Sequence, residues 1–182
     1  GFQSHYPQLE TKLAAIGSSE SELDTTLQPA VQMIRERFAN FILCEDDDTL
    51  EGTIIKHLQI QNKTVATMET ASAGNICSRL VTANPQGDVM LSGTVSCNLS
   101  QLATAVNMTA QDLSISTDTA SSLAVHLRQH TMTDYAVVSL SDQKPLENDT
   151  RAETQIIIAI ASNNKVVTRQ ARLLGGKHWV TL

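Results

Sequence analysis

Val65-Ala66-Thr67-Met68-Glu69-Thr70-Ala71-Ser72-Ala73-Gly74 is the stretch on which the fold turns. An apolar, β-branched run enters a turn of small and hydroxyl residues. An amphipathic pattern follows at once, with Ala73, Ile76, Cys77, Leu80 and Val81 predicted to face inward. This is a strand feeding a helix through a tight elbow. Such an elbow lies at the carboxyl edge of a sheet, beside helix N–H groups that lack intrahelical partners. Ligands and reacting groups collect there.

Working outward on the C-terminal side, Asn84-Pro85-Gln86-Gly87 reads as a turn and Val89 to Cys97 as a strand. Gly93 within that strand marks a close backbone approach. Helical pieces are expected around Leu99 to Val106 and again from Thr109. A further helix carries Leu123, Ala124 and Leu127, capped by Thr117 or Asp118. Tyr135 to Leu140 reads as a buried strand and Ser141 to Arg151 as a polar loop. Thr154 to Ala161 and Lys165 to Leu173 form a hairpin through Ser162-Asn163-Asn164, with Gly175-Gly176 ending the last strand. Strands alternating with helices, then a hairpin, predict an α/β fold: a mixed sheet covered by helices.

On the N-terminal side, Gly1 to about Ala15 alternates loosely, as a half-exposed strand does. Ser19 and Glu22 have capping-box spacing. Leu23, Leu27, Val31, Ile34 and Phe38 then share a helical face, which Pro29 is expected to kink or divide. Phe41 to Cys44 reads as a short buried strand. The acidic turn Glu45-Asp46-Asp47-Asp48 suits the start of the next helix better than a cation site, with Asp48 and Glu51 as a capping box. Leu50, Ile54 and Leu58 line that helix. The expected division is a small αβ unit over 1–47 and the main domain over 48–182.

Composition excludes several function classes. A net charge of -6 opposes a non-specific nucleic-acid surface, and 3% aromatic residues opposes base stacking. The longest apolar run, Ile156 to Ala161, is too short to span a membrane. No signal segment opens the chain. Three separated cysteines, Cys44, Cys77 and Cys97, read as buried thiols in a reducing cytoplasm. The chain opens at Gly1 without a methionine and stops as a new element starts, so a piece of a longer protein is expected.

From the residues alone, the chemistry at the elbow is thin. Thr70 and Ser72 offer hydroxyls at a helix N-terminus, but a base is wanting. His57, His126, His130 and His178 have no context that places them there, and no set of ligands stands at zinc spacing. Phosphate-loop and dinucleotide glycine signatures are absent from the sequence. Glu69 ends a buried strand; it is either a functional carboxylate, a helix-dipole partner or an exposed strand end.

The elbow resembles the C-terminal domain of the competence-damage-inducible CinA family, which includes nicotinamide mononucleotide deamidases. The family pattern A-E-S-C-T-G-G stands here as Met68-Glu69-Thr70-Ala71-Ser72-Ala73-Gly74. The resemblance extends from about Thr64 to Lys177, and Glu45 to Gln59 also match. Residues 1–44 resemble the KH-like middle region of full-length members, in which a molybdopterin-binding-like domain comes first. It implies the CinA C-terminal fold over 48–182, an incomplete KH-like αβ subdomain over 1–47, a bacterial cytoplasmic setting and a homodimer. By the resemblance, Thr70 takes the nucleophile position with Glu69 beside it. Ser72, Gly74, Ser139 and Lys177 fall where substrate binds. No cofactor and no metal are implied.

Departures from the family pattern bear on activity. Val95-Ser96-Cys97-Asn98-Leu99-Ser100-Gln101-Leu102 aligns with V-T-Y-S-N-E-A-K, so the tyrosine position is Cys97 and the lysine position Leu102. A leucine neither accepts nor donates a proton. The family's glycine-rich T-G-I-A-G-P loop becomes Ser139-Leu140-Ser141-Asp142-Gln143, and its G-D-R-x-x-V-R signature is reduced to Gly176, Lys177 and Val180, with Thr181 at an arginine position. The expected function is a degenerate deamidase-fold domain, structural, dimerising or regulatory for a missing N-terminal domain. Two alternatives stand beside it: a weak amidohydrolase using Thr70, and a non-catalytic module binding pyridine nucleotides.

Overall fold

The computed structural model describes residues 1–5, 8–45, 48–109, 113–141 and 153–174. The chain divides into two compact units, Gly1–Leu50 and Glu51–Leu182.

In the first unit, β1 (Phe2–His5) pairs antiparallel with β2 (Gln8–Thr11), so the expected single strand is two. Helix α1 (Glu20–Phe38) follows, N-capped by Ser19, whose side chain accepts from Glu22 N at 3.3 Å. The Glu22 carboxylate reaches one residue further back than a capping box requires. It accepts from Ser18 N at 3.0 Å and from Ser18 Oγ at 2.6 Å, and these bonds hold its carboxyl below the usual carboxylate range. Pro29 lies inside α1, which is one helix and not two. The buried strand expected at Phe41 to Cys44 is absent: Ala39–Phe41 is a 3₁₀ turn, and Phe41 is 85% exposed. An apolar run becomes a strand only where a partner edge exists, and among the described residues β1 and β2 pair with each other alone. No residue of α1 is buried. A bidentate Arg35–Glu45 pair, at 2.9 and 2.5 Å, ties the helix to the segment after it.

The second unit is a five-stranded mixed sheet of order β4-β3-β5-β6-β7. Its strands are β3 (Val65–Glu69), β4 (Met90–Val95), β5 (Tyr135–Ser141), β6 (Glu153–Ala161) and β7 (Val166–Leu174). The central β3 runs parallel to both β4 and β5, while β6 and β7 extend the sheet antiparallel. β6 and β7 are joined through Ser162–Lys165, where Ser162 N donates to Lys165 O at 2.8 Å. The α/β class and the mixed sheet therefore stand as expected.

Alternation along the strands sorts residues between two cores. On one face Ala66, Met68, Ala136, Val138, Leu140, Ile157 and Ala159 meet α4 (Leu99–Ala105) and α5 (Thr117–Thr131). On the other, Val65 and Met90 meet Ile55 of α2 (Leu50–Ile60) and Leu80 of α3 (Asn75–Ala83). Burying these side chains stabilises each core by roughly 1.5–3 kcal/mol per large residue. Three face assignments change, the first being Ala73, which is exposed in the turn before α3. Ile55, at 3% exposed, replaces Ile54, at 39%, as the inward residue of α2, and Val81 of α3 is half exposed. The cap of α5 is Ser116, which accepts from Thr119 N at 3.1 Å, one residue before the expected Thr117. The helical piece expected from Thr109 falls partly on 110–112, and Gly175-Gly176 on 175–176; both lie outside the described residues.

Gly93 carries out the close approach read from the sequence. A Cβ there would collide with Cys77 Sγ on α3 and lie 3.4 Å from Thr67 Oγ1 on β3. Only a bare backbone lets α3 sit this low on the β3–β4 pair.

Candidate functional site

The elbow connects the carboxyl end of β3 to α3, beside the carboxyl end of β5. All five residues of β3 are buried because strands cover both its edges and helices both its faces. After Glu69 the chain stays attached to β5. Thr70 N donates to Ser139 O at 2.9 Å, and Ala71 N shares that carbonyl at 3.4 Å. Ser141 N then donates to Thr70 Oγ1 at 3.0 Å. These bonds prolong the β3–β5 ladder past the end of the strand. Thr70, Ser72, Ser139 and Ser141 are buried as a result.

The turn into α3 requires left-handed backbone at two consecutive residues, Ala73 with φ 51° and Gly74 with φ 91°. Glycine takes this conformation without steric cost; alanine does not. Gly74 also rests on Val95, since a Cβ there would sit 3.1 Å from Val95 Cγ2. Its lack of a side chain leaves α3 without an ordinary cap.

Glu69 supplies the missing cap. Its carboxylate is fully buried and accepts from Ile76 N at 3.1 Å and from Cys77 N at 2.7 Å. The Ser72 hydroxyl donates to the same carboxylate. Among the described residues, Glu69 is the one buried charged side chain. Three neutral donors and the positive end of the α3 dipole satisfy it. Of the readings left open by the sequence, the helix-dipole partner describes this geometry, and the exposed strand end does not.

The residues singled out for chemistry divide into three groups. Thr70, Glu69, Ser72, Gly74 and Ser139 come together at the elbow. Ser139 belongs to β5 and not to a loop, and Ser141 closes the same strand. Lys177, Gly176, Val180, Thr181, Asp142, Gln143 and His178 lie outside the described residues. Leu102 is fully buried in the core that packs α4 and α5 against the sheet. His126 and His130 sit on α5: His126 Nδ1 lies 2.8 Å from Ser122 O, and His130 Nδ1 lies 3.4 Å from Asn107 Nδ2. His57 is exposed on α2. No group of three His, Cys, Asp or Glu side chains among the described residues could hold a metal ion. Asp46 and Asp47 of the acidic turn are not among them.

The sequence did not disclose the partner of the Thr70 hydroxyl, because Ser141 lies 71 residues further along the chain. Nor did it disclose a polar cluster at the opposite ends of the same strands. There the Asp134 carboxylate accepts from Lys63 Nζ at 2.7 Å, Thr64 N at 3.0 Å and Thr64 Oγ1 at 3.2 Å. Lys63 and these hydrogen bonds hold the Asp134 carboxyl below its ordinary range, while Asp134 raises the Lys63 amine. Beside them Tyr135, Ser162, Asn163 and Asn164 complete the lining of an open cavity of about 210 Å³.

A parallel three-strand centre with an antiparallel extension, and a strand–elbow–helix at its carboxyl edge, defines a mixed α/β domain with its candidate site at the elbow. Residues 47–181 match the model of the CinA C-terminal domain, and the chain belongs to that family. A CinA-like protein of Prochlorococcus marinus (strain MIT 9312) is 23% identical over 134 residues, covering 71% of this chain and 32% of that protein. A CinA-like protein of Geobacter metallireducens is 31% identical over 80 residues, covering 44% of this chain and 19% of the relative. The matched region thus spans about a third or less of these relatives. The fold is shared with the competence-damaged protein (CinA) superfamily protein of Escherichia coli, with TM-score 0.63, 15% identity, and 79% and 90% of the two chains covered. The Enterobacter cloacae superfamily protein gives 0.63 at 18% identity, covering 76% and 88%. No helix among the described residues is long and apolar enough to cross a membrane.

Proposed function

We propose that this chain is a degenerate CinA C-terminal domain whose deamidase set is lost, and which serves a structural, dimerising or regulatory role for an N-terminal domain of a longer protein. The observation that carries the reading is the fate of the Thr70 hydroxyl. Its oxygen accepts the Ser141 N–H, and the neighbouring carboxylate is bound to α3 and Ser72. A hydroxyl needs an accessible base to attack a carboxamide at neutral pH. The nearby Glu69 carboxylate is already engaged, by two backbone N–H groups of α3 on its two oxygens and by the Ser72 hydroxyl. The burial of Leu102 supports the same reading, since an apolar side chain fills the position where the family pattern has an amine.

A dimerising role draws support from the β4 edge. β4 ends the sheet, and Leu91 and Val95 on it are about half exposed. Residues 1–47 contribute the strand pair and helix of the proposed KH-like subdomain, without the strand expected at Phe41 to Cys44. Ammonia release from nicotinamide mononucleotide tests the proposal. The purified chain is expected to release none above background at high protein concentration. Turnover that Thr70→Ala abolishes would establish the residual amidohydrolase instead.

A further inference from the structure

The start of a helix that follows a strand is a ready seat for phosphate or carboxylate, because its first N–H groups have no intrahelical partners. In α3 that seat is filled from within. The groups at the second and third helical positions, Ile76 N and Cys77 N, both donate to Glu69, one to each carboxylate oxygen. The carboxylate arrives from the end of β3, is fully buried, and is further held by the Ser72 hydroxyl. The capping residue Gly74 has no side chain that could compete for these donors.

We propose that Glu69 is the specificity-determining residue of the elbow: its carboxylate is a built-in anion that bars phosphate- and carboxylate-bearing groups from the N-terminus of α3. An incoming anion would find both donors taken and would meet a like charge where water is excluded. The elbow is thereby left to uncharged or cationic groups, and an anionic portion of any ligand must be held elsewhere. This holds for an active and an inactive domain alike, so it stands independently of the function proposed above.

Two measurements test it. In ¹⁵N–¹H spectra of the wild-type chain, inorganic phosphate titrated to tens of millimolar at constant ionic strength is expected to leave the Ile76 and Cys77 amides unmoved. A saturable movement of both would overturn the proposal. In parallel, Glu69→Ala empties the seat. Formate is expected to raise its melting temperature by several degrees over the same concentration of chloride, with no such difference for wild type or for Glu69→Gln, which keeps the volume and removes the charge. Formate acting equally on Glu69→Ala and wild type would equally contradict it. Where Glu69→Ala fails to fold, the wild-type titration decides alone.

Discussion

The two ends of the β3–β5 pair each carry a carboxylate, and the two are stabilised in opposite ways. At the amino end Asp134 meets a cation, Lys63, in a half-exposed cluster open to solvent. At the carboxyl end Glu69 is fully buried and meets only neutral donors and a helix dipole. The amino-end pair acts in water, where screening leaves surface ion pairs little to contribute. The carboxyl-end group acts where water is absent, so each missing hydrogen bond is expensive. Burial, more than formal charge pairing, decides which polar cluster governs stability here. At the elbow the Glu69 carboxylate, the Ser72 hydroxyl and the Thr70 hydroxyl all have partners within the protein.

The sharpest way to break the comparison is at Glu69. Glu69→Gln leaves one α3 donor facing an amide and removes the charge, and is expected to cost about 3 kcal/mol in urea unfolding. A cost under about 1 kcal/mol would place the two clusters on the same footing. Next comes Gly93→Ala, which forces a methyl into Cys77 Sγ and is expected to cost about 2 kcal/mol. Cys77→Ala in that background is expected to recover part of the loss, a coupling measured by the double-mutant cycle. Thr70→Val removes the acceptor for Ser141 N and is expected to cost about 1–2 kcal/mol, with the amide of Ser141 exchanging faster.

The smallest effect belongs to the amino end, and pH exposes it. The folded-state carboxyl of Asp134 titrates below its unfolded value. Its contribution is therefore present above the ordinary aspartate range and is lost as pH falls through the lowered value. The Lys63 amine is raised, so its share is complete below the ordinary lysine value and disappears as pH rises through the raised one. Asp134→Asn is expected to lower stability slightly at neutral pH and, by the same small amount, to flatten the acid limb of the stability profile below about pH 4. An unchanged acid limb would show that the cluster is not linked to folding.

Much of the fold was legible because it depends on local pattern. The apolar run of β3, the Ser162 to Lys165 turn and the inward residues Leu123, Ala124 and Leu127 follow from periodicity and turn chemistry alone. Gly93 announced a close approach, and Cys77 is what approaches. Phe41 to Cys44 misled because an apolar run says nothing of whether a neighbouring edge exists to pair with it. Ile54 and Ile55 are adjacent, and the face of α2 was settled by packing against β3 and α3. At the site, the residue types were readable and their alliances were not. Whether Glu69 is a base or a cap depends on where α3 begins in space, and the partner of Thr70 comes from a distant strand.

The most direct test of the account is the ammonia assay on nicotinamide mononucleotide, run on wild type and Thr70→Ala side by side. The two are expected to be indistinguishable from buffer at the highest soluble protein concentration. Ammonia release by wild type that Thr70→Ala removes would contradict it, and would mean that the Thr70 hydroxyl leaves Ser141 to meet a substrate.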